Sequence, residues 1–80
     1  MAHDIAFVRE QGMNLVVVCV ADHILDSPSQ REQTWKAFER QYGLPTAILG
    51  ANRHRVYGDK RIVGWLSSID PARLPWRRAA

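Results

Sequence analysis

Polar and apolar positions divide this chain into segments of different period. The run Leu15-Val16-Val17-Val18-Cys19-Val20-Ala21 has no polar face and is rich in β-branched valine, the pattern of a central strand covered on both sides. Beyond Ser27 the period lengthens. Trp35, Phe38 and Tyr42 recur at spacings of three and four, with Arg31, Lys36, Glu39 and Arg40 largely off that stripe, which predicts an amphipathic helix. Its start is signalled twice, by Ser27 with Pro28 behind it and by Ser29 with Glu32 as a capping box. Gly43 stops it, and Leu44-Pro45 leads directly into a second apolar run, Thr46-Ala47-Ile48-Leu49-Gly50. Strand, helix and strand in that order predict a parallel pair with a right-handed crossover.

The flanks are less regular. For Asp4 to Gln11 a helix is the preferred reading: Asp4 can cap it, Ile5, Phe7 and Val8 share a face, and Gly12 can end it. The alternative is a strand turning back at Gly12-Met13-Asn14 in a hairpin. After Gly50, Ala51-Asn52-Arg53 turn into a short charged strand, His54-Arg55-Val56-Tyr57, suited to a sheet edge. Asp59 can cap a last helix reaching about Ser68, with Ile62, Trp65, Leu66 and Ile69 as its apolar face. Asp70-Pro71 closes it, and residues 70–80 form a tail that packs on the core. The expected fold is α/β: one domain over residues 1–80, a small mixed three-stranded sheet with helices, in the order αβαββα.

Composition narrows the classes. Eighty residues with 46% hydrophobic and 24% charged side chains describe one globular domain near the lower size limit for a stable core. A single cysteine, Cys19, excludes an internal disulfide or a multi-cysteine zinc site; within its valine run it reads as a small buried hydrophobe. The longest apolar run is far short of a membrane span, and Met1-Ala2-His3-Asp4 has no signal-peptide character, so a cytoplasmic location is expected. Net charge is +3, unevenly spread: residues 1–50 sum to −2 and residues 51–80 to +5. The basic half is the half expected to meet an acidic partner or a phosphate backbone.

The run from Gly43 to Ile69 resembles the C-terminal ββα half of thioredoxin-like proteins. Gly43-Leu44-Pro45-Thr46 matches the strand entry of that half, Gly58 the glycine before its last helix, and Ile62, Leu66 and Ile69 that helix's buried face. The resemblance covers about a third of the chain and implies a cis bond before Pro45. Where such proteins carry Cys-x-x-Cys, this chain has Asp22-His23-Ile24-Leu25-Asp26-Ser27-Pro28, and one helix–strand unit of the family is missing. The resemblance therefore extends to architecture and not to disulfide exchange.

Two groups of side chains are candidates for chemistry. Asp22, His23 and Asp26 follow the carboxyl end of a buried strand, where ligands sit in open α/β sheets. A histidine between carboxylates is a general base in form, but spacing and partners equally describe a polar loop capping the next helix. His3 and His54 have no sequence-local partner. The second group is Arg53, Arg55 and Tyr57, alternating on one strand face, with Trp76, Arg77 and Arg78 in the tail. Basic groups with aromatic neighbours suit nucleic-acid binding, although no recognised nucleic-acid motif is present. Trp35 and Trp65 lie on apolar helix faces and are expected in the core; Trp76 either folds back onto it or anchors an interface.

These residues predict a non-enzymatic interaction domain, with no metal or cofactor and no catalytic residue assigned. A protein partner or self-association as a homodimer is expected, with a nucleic-acid-binding protein, a degenerate thioredoxin-like protein, and a degenerate thiol or small-molecule enzyme using Cys19 or His23 as the alternatives.

Overall fold

The computed structural model describes residues 3–10, 12–53 and 55–79. It forms a five-stranded mixed sheet: β1 (His3–Glu10), β2 (Met13–Val20), β3 (Thr46–Gly50), β4 (Val56–Gly58) and β5 (Trp76–Ala79), in the order β4-β3-β2-β1-β5. The helices are α1 (Asp22–Asp26), α2 (Pro28–Tyr42) and α3 (Lys60–Leu66), followed by a 3-10 turn at Pro71–Arg73. The mixed α/β class is as expected; the number of strands is not. The three-stranded sheet gains a strand at either end of the chain, so the expected order αβαββα does not hold.

The first correction concerns Asp4 to Gln11, preferred as a helix. Residues 3–10 are β1, antiparallel to β2 with Ile5 opposite Val18 and Phe7 opposite Val16. Gly12 turns the chain at φ 74°, the left-handed backbone that glycine takes without a Cβ penalty. A lone helix of this length barely repays nucleation. As a strand, the segment pairs with β2 on one side and with β5 on the other, and Ile5 and Ala6 are buried on its two faces.

The second correction concerns the tail. Trp76–Ala79 is an edge strand, antiparallel to β1, with Asp4 opposite Arg78 and Ala6 opposite Trp76. Trp76 folds back, as one of the two expectations had it: its indole Nε1 donates to the Pro71 carbonyl at 2.8 Å and its ring packs against the core.

Local signals place the other elements close to expectation. Ser27 caps α2 by accepting from the Gln30 N–H, with Pro28 in the first turn. Gly43 stops α2 at φ 64°, donating its N–H to the Glu39 carbonyl. Asp59 caps α3 by accepting from the Arg61 N–H. β2 and β3 run parallel, Val18 opposite Ile48. The Leu44–Pro45 bond is trans, unlike the cis bond at the matching strand entry of the proteins that this half resembles. The Pro45 carbonyl accepts from the Val16 N–H at 3.0 Å, just ahead of the first β2–β3 pair, Val16 opposite Thr46.

The sheet is covered on both faces, as the unbroken valine run required. One face places Ile5, Val16, Val18, Val20 and Ile48 against Leu25 of α1 and the half-buried Trp35, Phe38 and Tyr42 of α2. The other places Ala6, Leu15, Val17, Ala47 and Leu49 against Ile62 and Leu66 of α3 and Leu74. The Thr46 carbonyl ties the layers together by accepting from Trp35 Nε1 at 2.7 Å and from Asp59 N–H at 3.2 Å. No helix among the described residues is long and apolar enough to cross a membrane.

Candidate functional site

The acidic group after β2 and the basic group before β4 are brought together, and they neutralise each other. Asp22 Oδ1 accepts from the N–H groups of Asn52 and Arg53 at 3.3 and 3.4 Å, holding the turn between β3 and β4. Arg55 donates to Asp26 at 2.6 Å and to the Asp22 carbonyl at 3.2 Å. Partial burial works against the Asp22 carboxylate, but the hydrogen bonds from Arg53 and Asn52 outweigh it and hold its pKa below the usual value. Asp22, Asp26 and Arg55 thus form a clamp between α1 and the β3–β4 turn. Gly50 stands under it: a Cβ there would meet Asp22 Oδ1 at 2.5 Å. His23 is exposed beside the clamp and takes no part in it. His54 lies outside the described residues.

Tyr57 is likewise committed. Its hydroxyl donates to Glu32, its ring meets Trp35 edge-on at 5.7 Å, and the Arg31 guanidinium lies 4.7 Å over the ring. The bond from Tyr57 and a second from Lys36 hold the Glu32 carboxyl below its usual pKa, and the same bond raises that of Tyr57. Arg53, Arg55 and Tyr57 therefore belong to the β4 edge, whereas Trp76, Arg77 and Arg78 belong to the β5 edge. Four strand spacings of roughly 4.8 Å put those edges about 19 Å apart. The single basic and aromatic set drawn from the sequence is two sets on opposite sides.

On the β5 edge the arginines are held at their inner ends and open at their outer ones. Arg78 Nε donates to Asp4 Oδ1 at 2.9 Å, with 69% of its side chain still exposed. Arg77 stacks on the other sheet face, its guanidinium 4.9 Å above the Phe7 ring. Arg73, exposed in the preceding turn, adds a third positive charge.

A further feature escaped the sequence. β1 runs antiparallel to both β2 and β5, so the carboxyl ends of β2 and β5 lie together with the start of β1. A crevice of about 660 Å³ opens there. Val20, Ile24 and Phe38 supply its apolar wall, with His3, Asp4, Cys19, His23, Gln30, Thr34 and Arg78 around it. Cys19 is half-buried rather than enclosed. Burial first, and then the charges of Asp4 and Asp22, raise its pKa, which keeps it a thiol at neutral pH and a poor nucleophile. The opposite charges of Asp4 and Arg78 were the available signal, 74 positions apart. Among the described residues no three His, Cys, Asp or Glu side chains gather as a metal site would need.

The carboxylates give the fold a pH dependence of definite sign. Asp22, Glu32 and Asp59 all have folded pKa values below their ordinary ones, Asp59 chiefly through its bond with the Arg61 side chain. Their contribution to stability is complete above the unfolded value of about 4 and is lost as pH falls through the folded values. The melting temperature should hold between neutral and mildly acidic pH and decline below about pH 4. Circular dichroism melts across that range, with Asp59→Asn showing a shallower decline, check this.

Fold and site together define a small mixed α/β domain with an open arginine edge and a crevice at its strand ends. Comparison with protein-family models, with curated proteins and with solved structures finds no match for the chain.

Proposed function

We propose that this chain is a non-enzymatic interaction domain that binds an acidic, extended segment of a protein partner along β5. The observation that carries the reading is the β5 edge itself, last in the sheet order, with Arg77 and Arg78 presented on alternate faces. An edge strand offers unpaired backbone groups to an incoming strand. Arginines on both faces repel an identical edge, which disfavours pairing with a second copy. They favour a strand carrying Glu or Asp, which supplies acceptors to the outer guanidinium nitrogens.

Strand addition can be tested with a fluorescent peptide that alternates Glu and Val, and with its Lys-for-Glu counterpart. The acidic peptide should bind with affinity that weakens on adding salt, and R77E/R78E should weaken it at least tenfold, or about 1.4 kcal/mol. Equal binding of the two peptides would overturn the reading. So would a dimer in light scattering that buries β5. Preference for a single-stranded oligonucleotide over the acidic peptide at the same residues would favour the nucleic-acid alternative.

A thioredoxin-like half from Gly43 to Ile69 stands as a proposal about architecture. It is supported by the helix stop, proline and strand in succession and by α3 following the β3–β4 pair. It assigns no disulfide chemistry to a chain with one cysteine.

A further inference from the structure

The crevice over the carboxyl ends of β2 and β5 shares Arg78 with the β5 edge, and its other lining residues lie off the path of an added strand. Its position is the one ligands take in open α/β sheets, beyond the carboxyl ends of the strands. Its volume of about 660 Å³ falls within the range of small-molecule pockets, and it is open to solvent on one side. The lining is lopsided. One wall is apolar, built from Val20, Ile24 and Phe38, while Thr34 and Gln30 of α2, His23 of α1 and Arg78 of β5 bring polar groups to the rim.

The polar inventory decides what fits. Asp4 is the one carboxylate in the lining, and its Oδ1 already accepts from Arg78 Nε. A cationic ligand would have to compete with that arginine. Arg78 spends Nε on Asp4, and its two outer guanidinium nitrogens remain as donors. The side chains of His23, Gln30 and Thr34 engage no described residue and can each donate a hydrogen bond. His3 is differently placed: its Nε2 lies 3.5 Å from the Tyr42 hydroxyl and its ring 4.9 Å from that of Phe38. Donors at the rim and hydrocarbon on the wall are complementary to acceptor oxygens joined to an apolar body.

We propose that this crevice binds a small organic anion, a monocarboxylate with an aromatic or branched apolar body of benzoate size or somewhat larger. The carboxylate lies toward Arg78 and Thr34, and the body lies against Ile24 and Phe38. The thiol of Cys19, at the edge of the same cavity, stays protonated and contributes surface rather than a bond-forming nucleophile.

Benzoate, benzyl alcohol and benzylamine, matched in size and differing in charge, are the probes. Each is titrated at constant ionic strength into the 15N-labelled full chain. Benzoate should move the amide signals of Cys19, Ala21, Thr34 and Phe38 and saturate in the millimolar range. Benzyl alcohol should move the same signals severalfold more weakly, and benzylamine should leave them in place. T34V, at a half-buried position on a helix that stays folded, should weaken benzoate roughly fivefold. Benzoate should also slow alkylation of Cys19, the single thiol, by N-ethylmaleimide, whereas benzylamine should not. Failure of all three probes to move crevice signals would overturn the proposal. So would benzylamine binding as tightly as benzoate, or T34V and Q30A both leaving affinity unchanged. The acidic peptide that tests strand addition should leave Thr34 unmoved, so failure of one site does not entail failure of the other.

Discussion

Gly58→Ala should lower the melting temperature by about 15 °C, the largest effect expected of any single methyl group added to this chain. Gly58 sits at φ 143°, and a Cβ there would meet the Thr46 carbonyl at 2.6 Å, Ala47 Cα at 2.9 Å and Trp35 Nε1 at 2.9 Å. Two costs add. A side chain in that backbone region costs on the order of 1–3 kcal/mol, and overpacking a filled site costs a similar amount. A total of roughly 3 kcal/mol converts to the stated shift for a domain of this size. The geometry also explains why the cost cannot be relieved cheaply. Two of the three obstructing atoms are backbone, and the third is the indole nitrogen bonded to the same Thr46 carbonyl. Pushing β4 away would break the layer-joining hydrogen bond along with the β3–β4 pairing. Thermal denaturation followed by circular dichroism measures this directly, and an unchanged midpoint would mean that β4 does not approach β3 as described.

Trp76→Ala should cost about 2–3 kcal/mol, a drop of roughly 10–15 °C. The indole is half-buried, so the loss falls below that of a fully enclosed tryptophan. It also removes the hydrogen bond to Pro71 and the side chain that seats β5 beside Leu74 on the core. The consequence for function is specific. Without Trp76, β5 is held to β1 by a short ladder and the Asp4–Arg78 pair, so its amides should exchange fast while those of β2 and β3 stay protected. Binding of the acidic peptide should fall with β5 order even at temperatures where the rest of the domain is folded. A variant with normal melting and normal peptide affinity would show that the tail is not a working part of the sheet.

The legible parts of this fold were those written within a few residues. Ser27 with Pro28, Gly43 with Pro45, and Asp59 before α3 are caps and stops whose chemistry is complete locally. The valine run announced a two-sided strand because no helix or edge strand tolerates such a pattern in water. Residues 3–10 were not legible in the same way. Ile5, Phe7 and Val8 suit either a short helix or a strand, and the deciding partners are Val16, Val18 and the distant Trp76–Ala79. β5 hid for the complementary reason: Trp-Arg-Arg-Ala has no alternating pattern of its own and is a strand only because β1 lies beside it. The candidate residues divide along the same line. Asp22, Asp26, Arg53 and Arg55 were each identified, but their mutual neutralisation spans some thirty positions and depends on the parallel crossover. Cys19, read as enclosed, reaches a crevice because the sheet's strand ends are incompletely covered there.

Hydrogen exchange of the backbone amides, with and without the acidic peptide, tests strand addition on β5 most directly. The account predicts that the alternate β5 amides that point away from β1 gain protection when the peptide binds. The amides of β4 and of α2 should be unaffected. Protection appearing along β4 instead, or spread over both edges with none at β5, would contradict it.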